Sequence, residues 1–498
     1  MSERVVTRRW VVSALMAGAA LPACANAPSR SPLPPIRPDR AASGAVAPAA
    51  EALIEAARLG GQVAYAVADA ATGEVIEARL PDRTQPPASV VKALTALYAL
   101  ETLGEGHRFA TRLVATGPVS GGRIEGDLVL LGGGDPTLDT DAMADLAQAL
   151  RNRGVQAVTG RFLVQGAALP AIGRIDPGQP DHVGYNPSIS GLNLNYNRVH
   201  FRWRRVGGGH EVVMDAPGNR HNAAVSVATM QVVNRQTPLY THADGGGSDR
   251  WTVAAPALGR EGSRWLPVRH PDLYAGDVLR GLARARGSVL PPPERLGRAQ
   301  PQGTVLAEHV SAPLGPLLRD MMRWSTNLTA EAVGLAATQA RGVRPASLAQ
   351  SAGVMADWAS GRYALGALRL VDHSGLGEAS RVAPAQMVRL LTAPRVADRL
   401  HGMMRDIPLR DRNGRPLPTQ PFEVAAKTGT LNFVSGLAGY VTPPAGRQLA
   451  FAIFAADMQT RARIAAADRE RPAGGRQWAQ RARQMQQELI ERWGALHI

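Results

Sequence analysis

Apolar residues recur at helical spacing in four parts of the chain. Leu94, Leu97 and Leu100 follow one another at intervals of three, and Gly104 is a natural stop, so this segment predicts a helix. Three further runs predict helices at 51–59, 317–324 and 477–492. The helix that ends near Gly104 matters most for chemistry, because a serine and a lysine stand at its start.

Other apolar runs are short and bounded by turn residues, which predicts strands. Residues 422–426, 435–441 and 448–454 read as a strand, its hairpin return and a third strand. Residues 113–305 are β-rich, with glycine-rich turns at 207–209 and 245–247. Within this region, strands are predicted at 157–165, 197–203, 211–214, 224–233 and 251–255. The pattern as a whole predicts a mixed α/β protein.

The N-terminus reads as an export signal. Arginines, among them the pair Arg8-Arg9, precede an apolar run at 10–21 that is too short to span a membrane. The arginine pair leaves a twin-arginine route open beside the general one. We expect residues 1–27 to be a signal peptide and the mature protein to lie in the periplasm or cell envelope.

Cys24 is the only cysteine, so no intramolecular disulfide is expected. It lies in a sequence that resembles a lipoprotein cleavage box, which would attach a lipid to Cys24 and hold the protein at the membrane. Cleavage after Ala25 or Ala27 would leave a protein without that lipid, and both outcomes stay open. Residues 28–44 are rich in proline and predict a stiff, extended linker.

The charge balance points to an anionic partner. The chain has 56 basic and 41 acidic residues, which gives a net charge of +15. Nucleic acid is a poor fit, because aromatic residues make up only 5% and no nucleic-acid-binding motif is present. The anionic cell wall is the better candidate, and an arginine-rich surface that is simply solvated stays open beside it. Only two of the basic residues are lysine, Lys92 and Lys427, and a buried lysine can lose its proton and act as a base, which arginine cannot.

Both lysines stand in short motifs. Ser89-x-x-Lys92 places an amine one helical turn from a hydroxyl, where a neutral lysine can take the serine proton. Ser325-Thr326-Asn327 follows the predicted helix at 317–324. Each of these motifs alone is as typical of a helix start as of a catalytic site.

The third motif is Lys427-Thr428-Gly429-Thr430, at the end of a predicted edge strand. A glycine there lets a ligand backbone approach closely, and a substrate peptide can add to the sheet as an extra strand. The three motifs in this order are typical of penicillin-binding proteins and class A β-lactamases. The gap from Ser89 to Ser325 is more than twice that from Ser325 to Lys427, which is too long for a class A β-lactamase and indicates a large insertion.

At these motifs the chain resembles the class C low-molecular-mass penicillin-binding proteins, the D-alanyl-D-alanine carboxypeptidase/endopeptidases of the penicillin-binding protein 4 type. Stretches at 63–75, 126–138, 192–197 and 372–376 are similar to further signatures of that family. The resemblance implies a transpeptidase-like domain, an antiparallel sheet flanked by helices, at 45–112 and 306–498. It also implies that the β-rich region at 113–305 is an insertion of two nested domains.

The resemblance implies a role for each motif residue. Ser89 would attack the D-Ala–D-Ala carbonyl, and Lys92 would be the base. Ser325 would relay a proton to the leaving amine, and Asn327 would hold the substrate amide and position Lys92. Lys427 would supply positive potential. Thr428 and Thr430 would bind the terminal carboxylate beside Gly429, and the N–H groups of Ser89 and Thr430 would form the oxyanion hole.

The implied activity is cleavage of peptidoglycan stem peptides by a serine-type carboxypeptidase that also has endopeptidase activity and is acylated by β-lactam antibiotics. A β-lactamase or esterase of the same superfamily, and a wall-binding scaffold without turnover, stay open as alternatives. Motifs of α/β-hydrolases, P-loop enzymes and zinc peptidases are absent, so no metal or cofactor is expected.

Three residues depart from the family pattern or extend it. His373 stands where the family usually has glycine, and we expect it at the surface. Glu378 follows the signature at 372–376 where the family often has an arginine for the acidic end of diaminopimelate. The nearby Arg381 is a candidate substitute, and Asp181 is a candidate for the side-chain amine.

Overall fold

The computed structural model describes residues 48–411 and 414–496. The predicted signal peptide at 1–27, the linker at 28–44 and Cys24 lie outside the described residues. No helix in the described part is both long enough and apolar enough to cross a membrane.

The helices agree with the four predictions and add others. They are α1 (Ala50–Ala57), α2 (Lys92–Leu103), α3 (Thr140–Asn152), α4 (Pro271–Arg284), α5 (Leu314–Trp324), α6 (Asn327–Ala340), α7 (Leu348–Tyr363), α8 (Pro384–Leu391), α9 (Val396–Leu400), α10 (Met458–Ala462) and α11 (Gly475–Leu496).

The strands run through both halves of the chain. They are β1 (Gln62–Asp69), β2 (Val75–Arg79), β3 (Ala110–Ala115), β4 (Val119–Ser120), β5 (Arg123–Ile124), β6 (Leu128–Leu131), β7 (Ala157–Val158), β8 (Phe162–Gln165), β9 (Arg198–Val206), β10 (Gly209–Pro217), β11 (Asn222–Ala224), β12 (Ala228–Val233), β13 (Tyr240–Asp244), β14 (Asp249–Ala254), β15 (Glu261–Pro267), β16 (Pro293–Arg295), β17 (Thr304–Val310), β18 (Arg405–Asp406), β19 (Glu423–Leu431), β20 (Val434–Thr442) and β21 (Leu449–Ala456).

A six-stranded antiparallel sheet is built from both ends of the chain. Its order is β18-β19-β20-β21-β1-β2, so the first strand pairs with the last. Both faces of β21 are covered, since Phe451 and Ile453 pack with Trp493 of α11 while Phe454 packs in the core that contains α2, α5 and α6. Two covered faces explain why this strand reads as one continuous apolar run. The predicted antiparallel sheet flanked by helices is confirmed.

The β-rich region begins at β3 and ends at β17, and these two strands pair with each other. β3 and β17 lie side by side in a five-stranded sheet of order β16-β8-β6-β3-β17. The region continues into sheets of order β11-β10-β9-β15, β12-β14-β13 and β4-β5-β7. Its β-rich character is confirmed, while its division into two nested domains stays a prediction.

Three details of this region differ from the sequence predictions. The strand predicted at 157–165 is two short strands, β7 and β8, which lie in different sheets. The strand predicted at 224–233 is two strands, because the N–H groups of Ser226 and Val227 leave the ladder and donate to Asp277. Helices α3 and α4 were not predicted. In α3 the signal was present: Met143, Leu146 and Leu150 lie on one buried face, and the Asp139 side chain caps the first turn.

Candidate active site

Ser89 lies in a tight turn directly before α2, a helix whose first two turns are buried on every face. Residues Ala88–Val91 form a 3₁₀ turn that leads into α2, whose first eight residues are buried. The turn sits directly on the sheet, because a Cβ at Gly429 or Gly436 would come within 2.9 Å of the Pro87 carbonyl oxygen. The two glycines therefore let the nucleophile approach the strand that carries Lys427.

Lys92 is fully buried and is held by three oxygen atoms. Its Nζ lies 2.8 Å from Ser89 Oγ and donates to Asn327 Oδ1 at 2.8 Å and to the Ser374 carbonyl at 2.7 Å. Burial, and next the charge of Lys427, lower the pKa of Lys92 well below its usual value, against the opposing charges of Asp372 and Glu331. A neutral amine in contact with a serine hydroxyl can accept its proton.

Ser325 and Asn327 flank the short connection between α5 and α6. Ser325 adopts a left-handed conformation with φ of 58° where α5 ends, and Asn327 begins α6. Ser325 Oγ accepts a hydrogen bond from Lys427 Nζ at 2.9 Å. Asn327 Nδ2 donates to the Tyr185 carbonyl at 2.9 Å, so Asn327 links Lys92 to a loop of the inserted region.

Lys427 lies on an open stretch of β19. Its side chain is buried, and Nζ also donates to the Thr428 carbonyl at 2.8 Å. Burial, and secondarily the charge of Arg405, lower the pKa of Lys427 to about 7, so a bound carboxylate would favour the charged form. Among the described residues, β18 pairs only with Ala425 and Ala426, which leaves the edge free from Lys427 onward, beside Thr428, Gly429 and Thr430.

A cavity of about 720 Å³ opens in front of these residues. Its lining comes from the catalytic motifs, from a loop of the inserted region and from residues that precede and begin α11. The members are Ser89, Ser325, Asn327, Thr430, Gln179, Tyr185, Gly375, Leu376, Leu431, Asn432, Arg461, Glu470, Arg471, Pro472, Gly475, Arg476, Gln477 and Ala479.

Residues 464–476, which we call the strap, cross from α10 to α11 and form one wall of this cavity. Glu470 fastens the strap to the inserted region, since its carboxylate contacts His182 Nε2 at 2.6 Å and Arg264 at 2.7 Å. Arg469 donates to the Gly178 carbonyl at 2.6 Å. The strap therefore joins two distant parts of the chain at the active site.

The prediction of a surface position for His373 was wrong. The side chain is fully buried, with Nε2 2.8 Å from Ser351 Oγ and Nδ1 3.4 Å from Met355 Sδ. Gly334 makes this possible, because a Cβ there would lie 2.3 Å from the imidazole. Burial lowers the pKa of His373 to about 3, so the ring is neutral.

Glu378 is paired rather than free to repel an acidic substrate. Arg461 donates to its carboxylate at 2.5 Å. Arg381 donates to the Glu378 carbonyl and, at 2.9 Å, to that of Ser380. Asp181 forms an ion pair with Arg174. The proposed contacts of Arg381 and Asp181 with substrate stay predictions.

Two buried carboxylates near Lys92 were not identified as site residues from the sequence. Glu331 accepts from the N–H groups of His373 and Ser374 at 3.0 and 2.9 Å, and Asp372 accepts from those of Gly375 and Gly377 at 2.6 Å each. Burial raises the pKa of Glu331 to about 8 and that of Asp372 to about 6. A sequence signal existed for Glu331, which is the one charged residue in the otherwise uncharged segment of α6.

Comparison with known proteins gives consistent results. The profile of the D-Ala-D-Ala carboxypeptidase 3 (S13) family matches residues 46–478. D-alanyl-D-alanine carboxypeptidase DacB of Haemophilus influenzae is 26% identical over 396 residues, which are 74% of this chain and 79% of the relative. The D-alanyl-D-alanine carboxypeptidase of Actinomadura sp. strain R39 is 27% identical over 81% of this chain and 79% of the relative.

Solved structures share the fold. The crystal structure of penicillin-binding protein 4 from Haemophilus influenzae matches with a TM-score of 0.70 and 22% identity, over 82% of this chain and 93% of that one. A complex of that protein with a novel β-lactam gives a TM-score of 0.67 over the same shares. The family match covers every motif residue from Ser89 to Thr430, and the chain thus belongs to the D-Ala-D-Ala carboxypeptidase 3 (S13) family.

Proposed function

We propose that this serine-type D-Ala-D-Ala carboxypeptidase works through an acyl-enzyme on Ser89. The assignment rests on one observation. Lys92, which is buried and has a lowered pKa, lies 2.8 Å from Ser89 Oγ. A second serine–lysine pair, Ser325 and Lys427, lies beside it. The first pair generates a nucleophile and the second can serve the leaving group.

In the acylation step, Ser89 Oγ attacks the carbonyl carbon of the penultimate D-Ala and its proton passes to Lys92. The N–H groups of Ser89 and Thr430 stabilise the oxyanion, and loss of one such donor typically costs about 3 kcal/mol of barrier. Ser325 passes a proton to the leaving nitrogen and regains one from Lys427. The C–N bond breaks and free D-Ala leaves.

Deacylation uses the same base. Lys92 first gives up the proton that it took from Ser89, and Lys427 regains the proton that it lost, by exchange through solvent. Lys92 then takes a proton from water, the resulting hydroxide attacks the ester on Ser89, and Lys92 returns that proton to the Ser89 alkoxide as it leaves. The shortened peptide is released with a new terminal carboxylate.

Substrate recognition would use both the free edge of β19 and the polar side chains of the three motifs. The peptide would add alongside β19, with its terminal carboxylate near Lys427 and the hydroxyls of Thr428 and Thr430. Asn327 already uses both side-chain groups, one on Lys92 and one on the Tyr185 carbonyl. Nδ2 carries a second N–H, which can donate to the carbonyl of a substrate amide while the first stays on Tyr185.

A DD-endopeptidase activity is proposed beside the carboxypeptidase activity. The open edge of β19 and the cavity of about 720 Å³ offer room for the branched leaving group of a cross-linked peptide. Digestion of purified cross-linked muropeptides, followed by chromatography, separates the two activities. Released D-Ala reports carboxypeptidase activity, and monomers from dimers report endopeptidase activity.

A labelled penicillin tests the mechanism. The solved β-lactam complex of the Haemophilus influenzae protein supports the expectation that this chain also binds such compounds. The wild type should form a stable adduct that Ser89→Ala lacks, because no ester can form. Rapid, continuous hydrolysis of a chromogenic cephalosporin would instead favour a β-lactamase, and a folded wild type without adduct or products would indicate a scaffold.

The substrate fixes the side of the membrane on which the enzyme works. A cell-wall peptidase acts outside the cytoplasm, and the export signal proposed at 1–27 supports that location. We propose the periplasm as the compartment, with a lipid on Cys24 as the attachment to test by mass spectrometry of the mature N-terminus.

A further inference from the structure

Glu331 is a buried acid that the proposed reaction does not use. It lies one helical turn after Asn327 on α6, and its side chain is fully buried. A carboxyl group in such a place needs hydrogen-bond donors, because burial without partners is costly. Both of its oxygens are occupied: Oε2 accepts from the His373 N–H and Oε1 from the Ser374 N–H.

The segment that Glu331 holds, His373 and Ser374, also supplies a hydrogen-bond acceptor to the proposed base, Lys92. The Ser374 carbonyl accepts from Lys92 Nζ at 2.7 Å, so Glu331 and Lys92 hold the same residue through its two backbone groups. The turn at 372–377 also packs closely against the segment that carries Ser89, since a Cβ at Gly375 would lie 1.8 Å from the Ala88 carbonyl oxygen. A shift of the turn would therefore be transmitted to both Lys92 and the residue before Ser89.

The orientation of the amine follows from this arrangement. A neutral lysine has two N–H bonds and one lone pair. The Asn327 and Ser374 oxygens take the two hydrogens, so the lone pair is left for the Ser89 hydroxyl. Both acceptors depend on α6, one directly through Asn327 and the other through Glu331.

We infer that Glu331 is a positioning residue for the base: it fixes the Ser374 carbonyl so that the lone pair of Lys92 faces Ser89. The inference rests on the proposed function of Lys92. The titratable groups around Lys92 are Lys427, Asp372 and Glu331, so the test has to separate geometry from electrostatics.

Glu331→Gln keeps the volume but replaces one acceptor oxygen with an NH₂ group that faces a backbone N–H. Saturation kinetics of penicillin acylation give a non-covalent dissociation constant and an acylation rate constant separately. We expect the rate constant to fall roughly 10- to 100-fold, at or below the lower end of the roughly 10²–10⁴-fold that a general base contributes, because the base itself is retained, and the dissociation constant to stay within about twofold. Glu331→Asp, which keeps a carboxyl group but withdraws it from the turn, should lose rate to a similar extent and provides a measurement if the Gln variant does not fold.

Thr338→Val is the matched control. Thr338 lies on the same helix, is equally buried and bonds Tyr98 and Ser351; it reaches the turn at 372–377 only through Ser351 and the His373 ring, not through the backbone groups that Glu331 holds. We expect this variant to lose stability but to keep its acylation rate constant within about twofold. Acylation of folded Glu331→Gln at the wild-type rate, or an equal loss in Thr338→Val, would overturn the inference. Absence of acylation in the wild type would instead overturn the proposed function itself.

Discussion

Both lysines of the chain are buried side chains that each contact a serine hydroxyl. Their surroundings differ. Lys92 contacts the oxygens of Ser89, Asn327 and Ser374, and burial lowers its pKa well below its usual value. Lys427 has a pKa of about 7, lies beside the open strand edge and gains charge when a carboxylate binds.

Exchange of each lysine for arginine should therefore have unequal effects. Lys92→Arg should lower the penicillin acylation rate roughly 10²–10⁴-fold, because arginine cannot accept the serine proton. Lys427→Arg keeps the charge and should mainly weaken binding of carboxylate substrates, with a smaller loss in acylation caused by crowding of the buried site. Stopped-flow acylation and D-Ala release measure the two effects, and equal small losses would contradict the assigned roles.

His373 makes stability depend on pH. Its pKa is about 3 when folded against an ordinary 6.5, so the unfolded chain binds the proton first as pH falls. The contribution is complete above about pH 6.5 and is lost toward pH 3. Between pH 7 and 4.5 the loss should be roughly 2–3 kcal/mol, at about 1.4 kcal/mol for each pH unit below 6.5.

Urea unfolding of the wild type and His373→Gln at both pH values measures this contribution. Glu331 and Asp372 have raised pKa values and act in the opposite direction, but both variants contain them, so their effect cancels in the comparison. An equal change of unfolding free energy with pH in the two proteins would show that His373 is not the titrating group.

The residues of the proposed site could be named from the sequence because the order and spacing of the three motifs are typical of one class of enzyme. The burial of His373 was not, because it depends on a cavity left by Gly334 on another helix. Residue type alone favours an exposed histidine. Likewise, Glu331 is conspicuous in an apolar helix, but its partners at 373 and 374 come from a different segment.

At the scale of elements, local periodicity was enough for α1, α2, α5 and α11 and for strands such as β9, β10 and β19 to β21, but not for the other helices. α2 and α11 were predicted because a run of apolar side chains faces one or both cores. α3 and α4 were missed because they lie among strands in a region interpreted as β-rich, although their buried faces have helical spacing. The pairing of β1 with β21 could not come from periodicity, which says which face is apolar but not which strand is the neighbour.

At the scale of the molecule, the strap makes the cavity depend on the inserted region. Its anchor, Glu470, has a pKa lowered to about 2 by its hydrogen bond with His182, followed by Arg264, so it is ionised at neutral pH. His182 stacks on Tyr240 at 4.8 Å, and Arg264 lies 5.0 Å from the same ring. Glu470 therefore binds a site formed by three side chains, those of His182, Arg264 and Tyr240, rather than making a single surface ion pair.

Glu470→Ala should release the strap while leaving the catalytic motifs intact. We expect faster tryptic cleavage after Arg469, whereas Arg471 is protected by the proline that follows it. Penicillin acylation should stay within about threefold, because Glu470 contacts none of the motif residues. Limited proteolysis with mass spectrometry measures the effect.

Glu488→Ala is the matched control, because Glu488 is half-buried on α11 and its carboxylate accepts from Gln484 alone among the described residues. Equal cleavage in the two variants would contradict the anchoring role of Glu470.

The pairing of the first sheet strand with the last has a consequence for biosynthesis. Ser89 and Lys92 are made before β19 to β21, which complete the sheet and follow them in the chain after the whole β-rich region. A chain that ends before β19 therefore has Ser89 and Lys92 without Lys427 and without the free strand edge. Strand pairing across such a distance is slow to form. The proposed site is thus assembled only after β21 has been synthesised and has paired with β1.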